Sequence, residues 1–164
     1  MIKHAVFDVD GVFTDGTFHY NKNGKVSKVF GAHDSDAIKF LRYNNIQVQA
    51  ITADKRGYKI SEARMDDMGI PLQLVSEGER LRFLSSNFSF KTMLFIGDGL
   101  HDAEVLARAR IGICPANGCD RAKMSANFVT ERSGGNGVLL EAVEWLSNNG
   151  YMEHKLEAYL DIKH

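Results

Sequence analysis

The chain has little of what would build a fold by covalent or topological shortcuts. Only two cysteines, Cys114 and Cys119, occur among 164 residues, too few to staple a domain. No second Cys/His pair turns their spacing into a metal site, so they read as free buried or half-buried thiols. Two prolines, and no stretch of biased composition, leave no recognisable linker or repeat. Charge of one sign is also missing. With 20 basic against 21 acidic residues and a net charge of −1, no bulk field favours nucleic acid or an anionic membrane. The apolar runs fall far short of a membrane span. Met1 leads straight into the first apolar run, leaving no room for a signal peptide and making the cytoplasm the expected location. What remains is ordinary for a soluble globular chain: 44% hydrophobic and 25% charged residues, at a length that suits one domain with a real core.

Short β-rich apolar runs alternate with helical patterns from end to end. Strands are predicted at His4–Val9, Ile46–Thr52, Leu72–Val75, Met93–Gly97, Ile111–Cys114 and Asn127–Val129. Helices are predicted near Asp34–Tyr43, Gly57–Met68, Glu77–Ser86, Asp102–Ala109, Arg121–Ser125 and Gly137–Asn148. In the first of these, Ala37, Ile38 and Leu41 fall at helical spacing. Such alternation implies right-handed βαβ units, hence an α/β, doubly wound, Rossmann-like parallel sheet with ligands beyond the strands' carboxyl ends. One segment, about 17–30, breaks the pattern. Thr17–Tyr20 and Lys25–Phe30 flank Asn21-Lys22-Asn23-Gly24, whose Asn-Gly signals a projecting β-hairpin. A lone hairpin is marginal in water, so Phe18, Tyr20, Val26 and Phe30 need cover from the domain or, as the preferred reading, from another subunit. The domain is expected to span residues 1–150. The tail, 151–164, carries Leu156, Tyr159 and Leu160 in an amphipathic pattern and is either a docked helix or a mobile arm.

Chemistry concentrates at strand ends. The first strand delivers Asp8 and Asp10 and then turns through Gly11, which lets both carboxylates converge on one site. Adjacent carboxylates repel and shift each other's protonation, so they usually accompany a metal or perform proton chemistry. The segment Phe95–Asp102 repeats the design: an apolar strand ends in Gly97-Asp98-Gly99, and Asp102 follows at a helix start. Asp102 is either an N-cap or a second acidic group of the site. A third strand ends in Thr52.

These motifs, Asp8-x-Asp10, Thr52, a basic residue and Asp98-x-x-x-Asp102, together resemble the haloacid dehalogenase superfamily of phosphotransferases over nearly the whole chain. Asp8–Gly16, the hairpin, His33–Ile38 and Ser133–Gly137 resemble its capless branch, which includes 3-deoxy-D-manno-octulosonate 8-phosphate phosphatase. The resemblance implies that Asp8 is the nucleophile forming an aspartyl-phosphate and that Asp10 is the general acid and base. It implies Mg²⁺ held by Asp8, Asp10 (through its backbone carbonyl) and Asp98, with Thr52, the Ala53 backbone and Arg80 on the phosphoryl group. Asp102 and Gly11 would support them. It implies a Mg²⁺-dependent phosphomonoester hydrolase acting on a small phosphorylated metabolite, with a 3-deoxy-2-keto sugar acid phosphate as first candidate and another sugar or nucleotide phosphate as second. Relatives without a cap cover their sites as tetramers, so a homotetramer is expected, with no nucleic-acid or membrane partner. The alternative is a non-catalytic assembly domain of the same fold. Clustered carboxylates argue against that reading.

Several positions depart from the family pattern. Arg80 stands where a lysine is usual, and Lys55 or Arg56 are the alternative sources of that charge. Ala53-Asp54 replaces a common Gly-Arg, His101 a common Asn, and Asn136 and Leu140 stand where sugar-acid phosphatases carry arginines. The catalytic residues are present, and the residues that set specificity are altered.

Overall fold

The computed structural model describes residues 1–163. Eight strands and seven helices, with short 3₁₀ turns between some of them, follow in the order β1 (His4–Asp8), β2 (His19–Asn21), β3 (Gly24–Ser27), α1 (Asp34–Tyr43), β4 (Gln47–Thr52), α2 (Tyr58–Asp67), β5 (Leu72–Leu74), α3 (Arg80–Asn87), β6 (Met93–Ile96), α4 (Ala103–Arg108), β7 (Ile111–Cys114), α5 (Asp120–Ser125), β8 (Phe128–Val129), α6 (Val138–Asn148) and α7 (Leu156–Lys163). Six strands form one parallel sheet in the order β5-β4-β1-β6-β7-β8, and β2 and β3 form a separate antiparallel hairpin. No helix is long and apolar enough to cross a membrane among the described residues.

The sheet is buried on both faces, and strand alternation divides its side chains. Ala5 and Phe7 of β1, with Ala50 of β4 and Leu94 and Ile96 of β6, pack into one layer with Ile38, Phe40 and Leu41 of α1 and Leu139, Val143 and Leu146 of α6. Val6, Ile51, Met93 and Phe95 face the opposite layer, where Leu84 of α3 and Val105 and Leu106 of α4 cover them. The predicted helical positions Ala37, Ile38 and Leu41 are all buried. The tail docks through α7: Tyr159 lies 5.5 Å from the Phe40 ring and 5.1 Å from Tyr43, while Leu160 faces solvent.

β1 lies at the centre, paired with β4 and β6, so Asp8 falls opposite Ile51 and Phe7 opposite Ile96. That register brings Asp8, Thr52 and Asp98 to one edge of the sheet. The hairpin is shorter than its sequence pattern. Its register slips between His19 and Tyr20, pairing ends at Ser27, and Lys28 turns inward. Phe30 then makes an isolated bridge with Thr14 and packs against the main core, whereas Tyr20, Val26 and Val29 stay exposed.

The turn after β1 is held by hydrogen bonds from within and by a loop from above. The Val12, Phe13 and Thr14 amides donate to the Val9 carbonyl, and the Thr14 hydroxyl accepts from Gly11 and Gly16 at 3.1 and 3.2 Å. Residues 133–137 lie directly on this turn. Gly135 N–H donates to the Val12 carbonyl, and a Cβ on Gly134 would sit 1.9 Å from the Gly11 oxygen and 2.5 Å from that of Thr14. Both obstructing groups are backbone, so a side chain there has to displace the turn that follows Asp8 and Asp10. Gly134→Ala is expected to destabilise the protein by about 2–3 kcal/mol in urea unfolding and to weaken activity with it. A variant as stable as the parent would show the contact to be yielding.

Candidate active site

The carboxyl edge of the sheet opens into a cleft of about 520 Å³ lined by Asp8, Asp10, Phe18, Lys25, Ala53, Asp54, Ser76, Glu77, Arg80, Asp98, Gly99, Leu100 and His101. Of the residues singled out from the sequence, Asp8, Asp10, Ala53, Arg80 and Asp98 face this cleft. Thr52, Asp102 and Gly11 lie buried beside it.

One side of the cleft is an acidic cluster. Ligand-type oxygens of Asp8, Asp98 and Asp102 all fall within 4.8 Å of one another. Asp8 ends β1, and its Oδ1 accepts the Val9 amide at 2.9 Å. Burial, then the neighbouring Asp102, push its carboxyl well above the ordinary range, with Arg80 opposing them. Asp98 is raised to about 6, by burial first and then by Asp102. Gly11 permits this crowding: its φ is +87°, and a Cβ there would lie 2.0 Å from Asp98 Oδ2.

Arg80 balances the cluster. It opens α3, is almost wholly buried, and reaches Asp8 through Nη1 at 3.3 Å and Nη2 at 3.4 Å. Nη1 also donates to Asp102 Oδ1. A planar fork spanning two carboxylates suits arginine, which stays charged at any working pH. Lys55 and Arg56 are exposed and lie outside the cleft lining. Asp102 occupies the N-cap position of α4 without a side-chain cap bond there. Its Oδ2 accepts the Gly99 amide at 2.9 Å instead, so its carboxylate ties the Asp98 loop to Arg80.

The other side is an ion-pair network that the sequence pattern did not reveal. Lys28, from the end of the hairpin, is buried. Its Nζ lies 2.7 and 3.0 Å from the two Asp10 carboxylate oxygens, 2.8 Å from Asp54 Oδ2 and 2.9 Å from Ser61 Oγ on α2. Thr52 Oγ1 stands 3.5 Å from Asp10 Oδ2 and accepts the Asp54 amide at 3.1 Å. Lys25 also pairs with Asp54 Oδ2, and its Nζ sits 3.5 Å above the Phe18 ring. Burial alone would raise the Asp54 carboxyl, but hydrogen bonds from Lys25, Lys28 and the Gly57 amide overcome it and hold the group at about 2. The lysines escaped notice because they sit among apolar hairpin residues, where a charged side chain reads as solvated. A third missed residue is Asn117. Its Nδ2 donates to the Gly11 carbonyl at 3.0 Å, and its Oδ1 accepts the Gly134 amide at 2.7 Å, clamping the turn to the loop above it.

Among the altered positions, His101 is exposed on the cleft rim with Nε2 3.5 Å from Glu77 Oε2. Asn136 is exposed outside the cleft lining, and Leu140 packs against the core. Neither restores a cation to the cleft.

The arrangement offers a buried carboxylate able to act as a nucleophile, a second carboxyl held in place beside it, a guanidinium for anionic oxygens and hard oxygen donors for a divalent cation. Removing the Lys28 ammonium leaves Asp10 and Asp54 facing each other without it. Lys28→Met is therefore expected to cost about 3 kcal/mol of stability and roughly tenfold or more in kcat, measured by urea unfolding and phosphate release. Unchanged kcat in a folded variant would remove Lys28 from the site's machinery.

The sequence profile of the haloacid dehalogenase-like hydrolases matches residues 12–141, well over half of the chain. A 3-deoxy-D-manno-octulosonate 8-phosphate phosphatase from Haemophilus influenzae is 30% identical over 145 residues, covering 85% of this chain and 79% of that protein. The cobalt-bound structure of the deoxy-D-mannose-octulosonate 8-phosphate phosphatase from Haemophilus influenzae superposes with a TM-score of 0.77 at 29% identity, covering 91% of this chain and 90% of that one. The Moraxella catarrhalis 3-deoxy-D-manno-octulosonate 8-phosphate phosphatase, crystallised with magnesium, phosphate and KDO, gives 0.84 at 24% identity over 99% and 94%. At that identity the likeness speaks for the fold.

Proposed function

The chain belongs to the haloacid dehalogenase-like hydrolases and is a phosphatase, and on that premise we propose that it cleaves phosphomonoesters through an aspartyl-phosphate on Asp8, with a 3-deoxy-2-keto sugar acid phosphate as its first candidate substrate. The observation that carries the mechanism is the convergence of Asp8, Asp10 and Arg80 on one cleft at the sheet's carboxyl edge. The relatives' activity on 3-deoxy-D-manno-octulosonate 8-phosphate motivates the substrate.

Asp8 attacks phosphorus with a carboxylate oxygen as the ester P–O bond breaks, and Asp10, entering this half in its protonated form, delivers that proton to the departing alkoxide. In the second half Asp10 takes a proton from a water that attacks the same phosphorus, releasing inorganic phosphate and restoring the Asp8 carboxylate. Arg80 turns from Asp8 toward the phosphoryl oxygens while keeping its bond to Asp102. In this reading the Ala53 backbone and the Thr52 hydroxyl would hold those oxygens. Lys28 fixes the Asp10 carboxyl, and Gly11 leaves room for the Asp98 carboxylate.

The donor set fits a hard divalent cation such as Mg²⁺. In this reading the Asp8 and Asp98 carboxylates would hold it together with the Asp10 main-chain carbonyl, as the family resemblance implies, while Asp102 stays bonded to Arg80 and the Gly99 amide. When bound, such an ion offsets the repulsion between an anionic nucleophile and a phosphate dianion. Phosphate release from a panel of phosphorylated metabolites is expected to require Mg²⁺ and to stop with a chelator. Asp8→Asn is expected to lose roughly a thousandfold in kcat. Equal release from parent and variant would instead favour a non-catalytic assembly domain.

We also propose a homotetramer assembled around the hairpins. Tyr20, Val26 and Val29 remain exposed there, and the cleft has no cap domain over it. Light scattering at micromolar concentration is expected to give four times the chain mass, 18.3 kDa. A monomer would exclude the assembly.

A further inference from the structure

The cleft contains a cation that the reaction does not use. Lys25 lines the wall opposite the acidic cluster, and its side chain is only 5% exposed. Arg80 is spent on Asp8 and Asp102, and Lys28 on Asp10, Asp54 and Ser61. The Lys25 ammonium has three N–H donors. One goes to Asp54, and the Phe18 ring, 3.5 Å away, accepts the cation's face. No other hydrogen bond forms at that ammonium among the described residues. A nearly dehydrated ammonium with unused donors in a ligand cleft is costly unless a ligand supplies the acceptor.

Its anchor explains why it stays there. Asp54 receives both lysines on Oδ2 and the Gly57 amide on Oδ1 at 3.0 Å. Lys25 is therefore tethered through one donor to an anchor that it shares with Lys28. Phe18 and Lys25 both come from this chain's own hairpin, so the wall is complete within one subunit. The arginines expected near Asn136 and Leu140 are absent, and Asp54 stands where the family pattern has an arginine. Lys25 therefore brings to the cleft, from the hairpin, a positive charge that the Asp54 position does not supply.

We propose that Lys25, tethered by Asp54 and seated on Phe18, is a specificity-determining residue that binds a carboxylate on the substrate, distal to the phosphoryl group at Asp8. This rests on the phosphatase reading and names the residue that would select an acidic sugar phosphate over a neutral one. A carboxylate accepts the spare donors as charge-assisted hydrogen bonds, whereas a neutral hydroxyl repays the buried charge less well. Phe18 supplies an apolar surface for the sugar carbons beside it.

The test compares 3-deoxy-D-manno-octulosonate 8-phosphate with sedoheptulose 7-phosphate, a neutral sugar phosphate of similar length. With Lys25→Met, the ratio of kcat/KM for the acidic over the neutral ester is expected to fall roughly tenfold or more. The loss should lie in KM rather than kcat, and Lys25→Arg should restore part of it. An unchanged ratio, or equal losses on both esters, overturns the proposal. Calorimetric titration of both esters into Asp8→Asn and into the double variant Asp8→Asn/Lys25→Met reads binding without turnover. A tenfold weakening confined to the acidic ester supports Lys25 even if no hydrolysis is found, an outcome that would sink the phosphatase mechanism alone. Binding of the acidic ester that ignores Lys25 overturns the proposal while leaving hydrolysis intact.

Discussion

Carboxylates crowded at the end of a parallel sheet repel one another, and the rest of the site is built around that repulsion. Asp8, Asp98 and Asp102 place oxygens within 4.8 Å of each other in a largely dehydrated pocket. Burial and mutual charge push the Asp8 carboxyl's pKa well above the usual carboxylate range and that of Asp98 up to about 6. Such a cluster persists only because cations sit against it. Arg80 opposes Asp8 and Asp102 from one side, and Lys28 opposes Asp10 and Asp54 from the other. The proposed metal dependence rests on the same imbalance, since one guanidinium spread over two carboxylates leaves negative charge for a divalent ion to meet.

The hairpin has two roles in this account. Its outer surface, with Tyr20, Val26 and Val29, is a small exposed apolar patch. Its inner surface sends Lys25 and Lys28 into the site and lays Phe18 over the cleft. A two-stranded ribbon is marginal by itself, and here the pairs with Asp10 and Asp54 tie it down. The geometry that positions Asp10 therefore also holds the hairpin against the domain. The loop at 133–137 does the equivalent for the turn after β1, through Asn117, Gly134 and Gly135.

Much of the fold was legible in the sequence, because strand and helix periodicities are local signals. Val6 and Phe7 belong to opposite layers simply because successive strand residues face opposite ways. Asp8 and Asp98 stood out for a related reason: acidic residues directly after apolar strands mark the edge where α/β sheets bind ligands. The hairpin was foreseen from its Asn-Gly turn, but its length was not. Pairing stops at Ser27 because Lys28 gains buried partners on β1's turn, on the Asp54 loop and on α2, none of which is near it in sequence.

By itself the sequence determined a doubly wound α/β chain whose strand ends carry Asp8, Asp10, Thr52 and Asp98, since periodicity and motif spacing depend on near neighbours. The tertiary structure decided which charges meet. Only folding shows Arg80 spanning two carboxylates, Asp102 reaching back to Gly99, and Lys25 and Lys28 converging on Asp54. The reason is physical: an ion pair depends on distance through space and on loss of water, and neither is written in the order of residues along the chain.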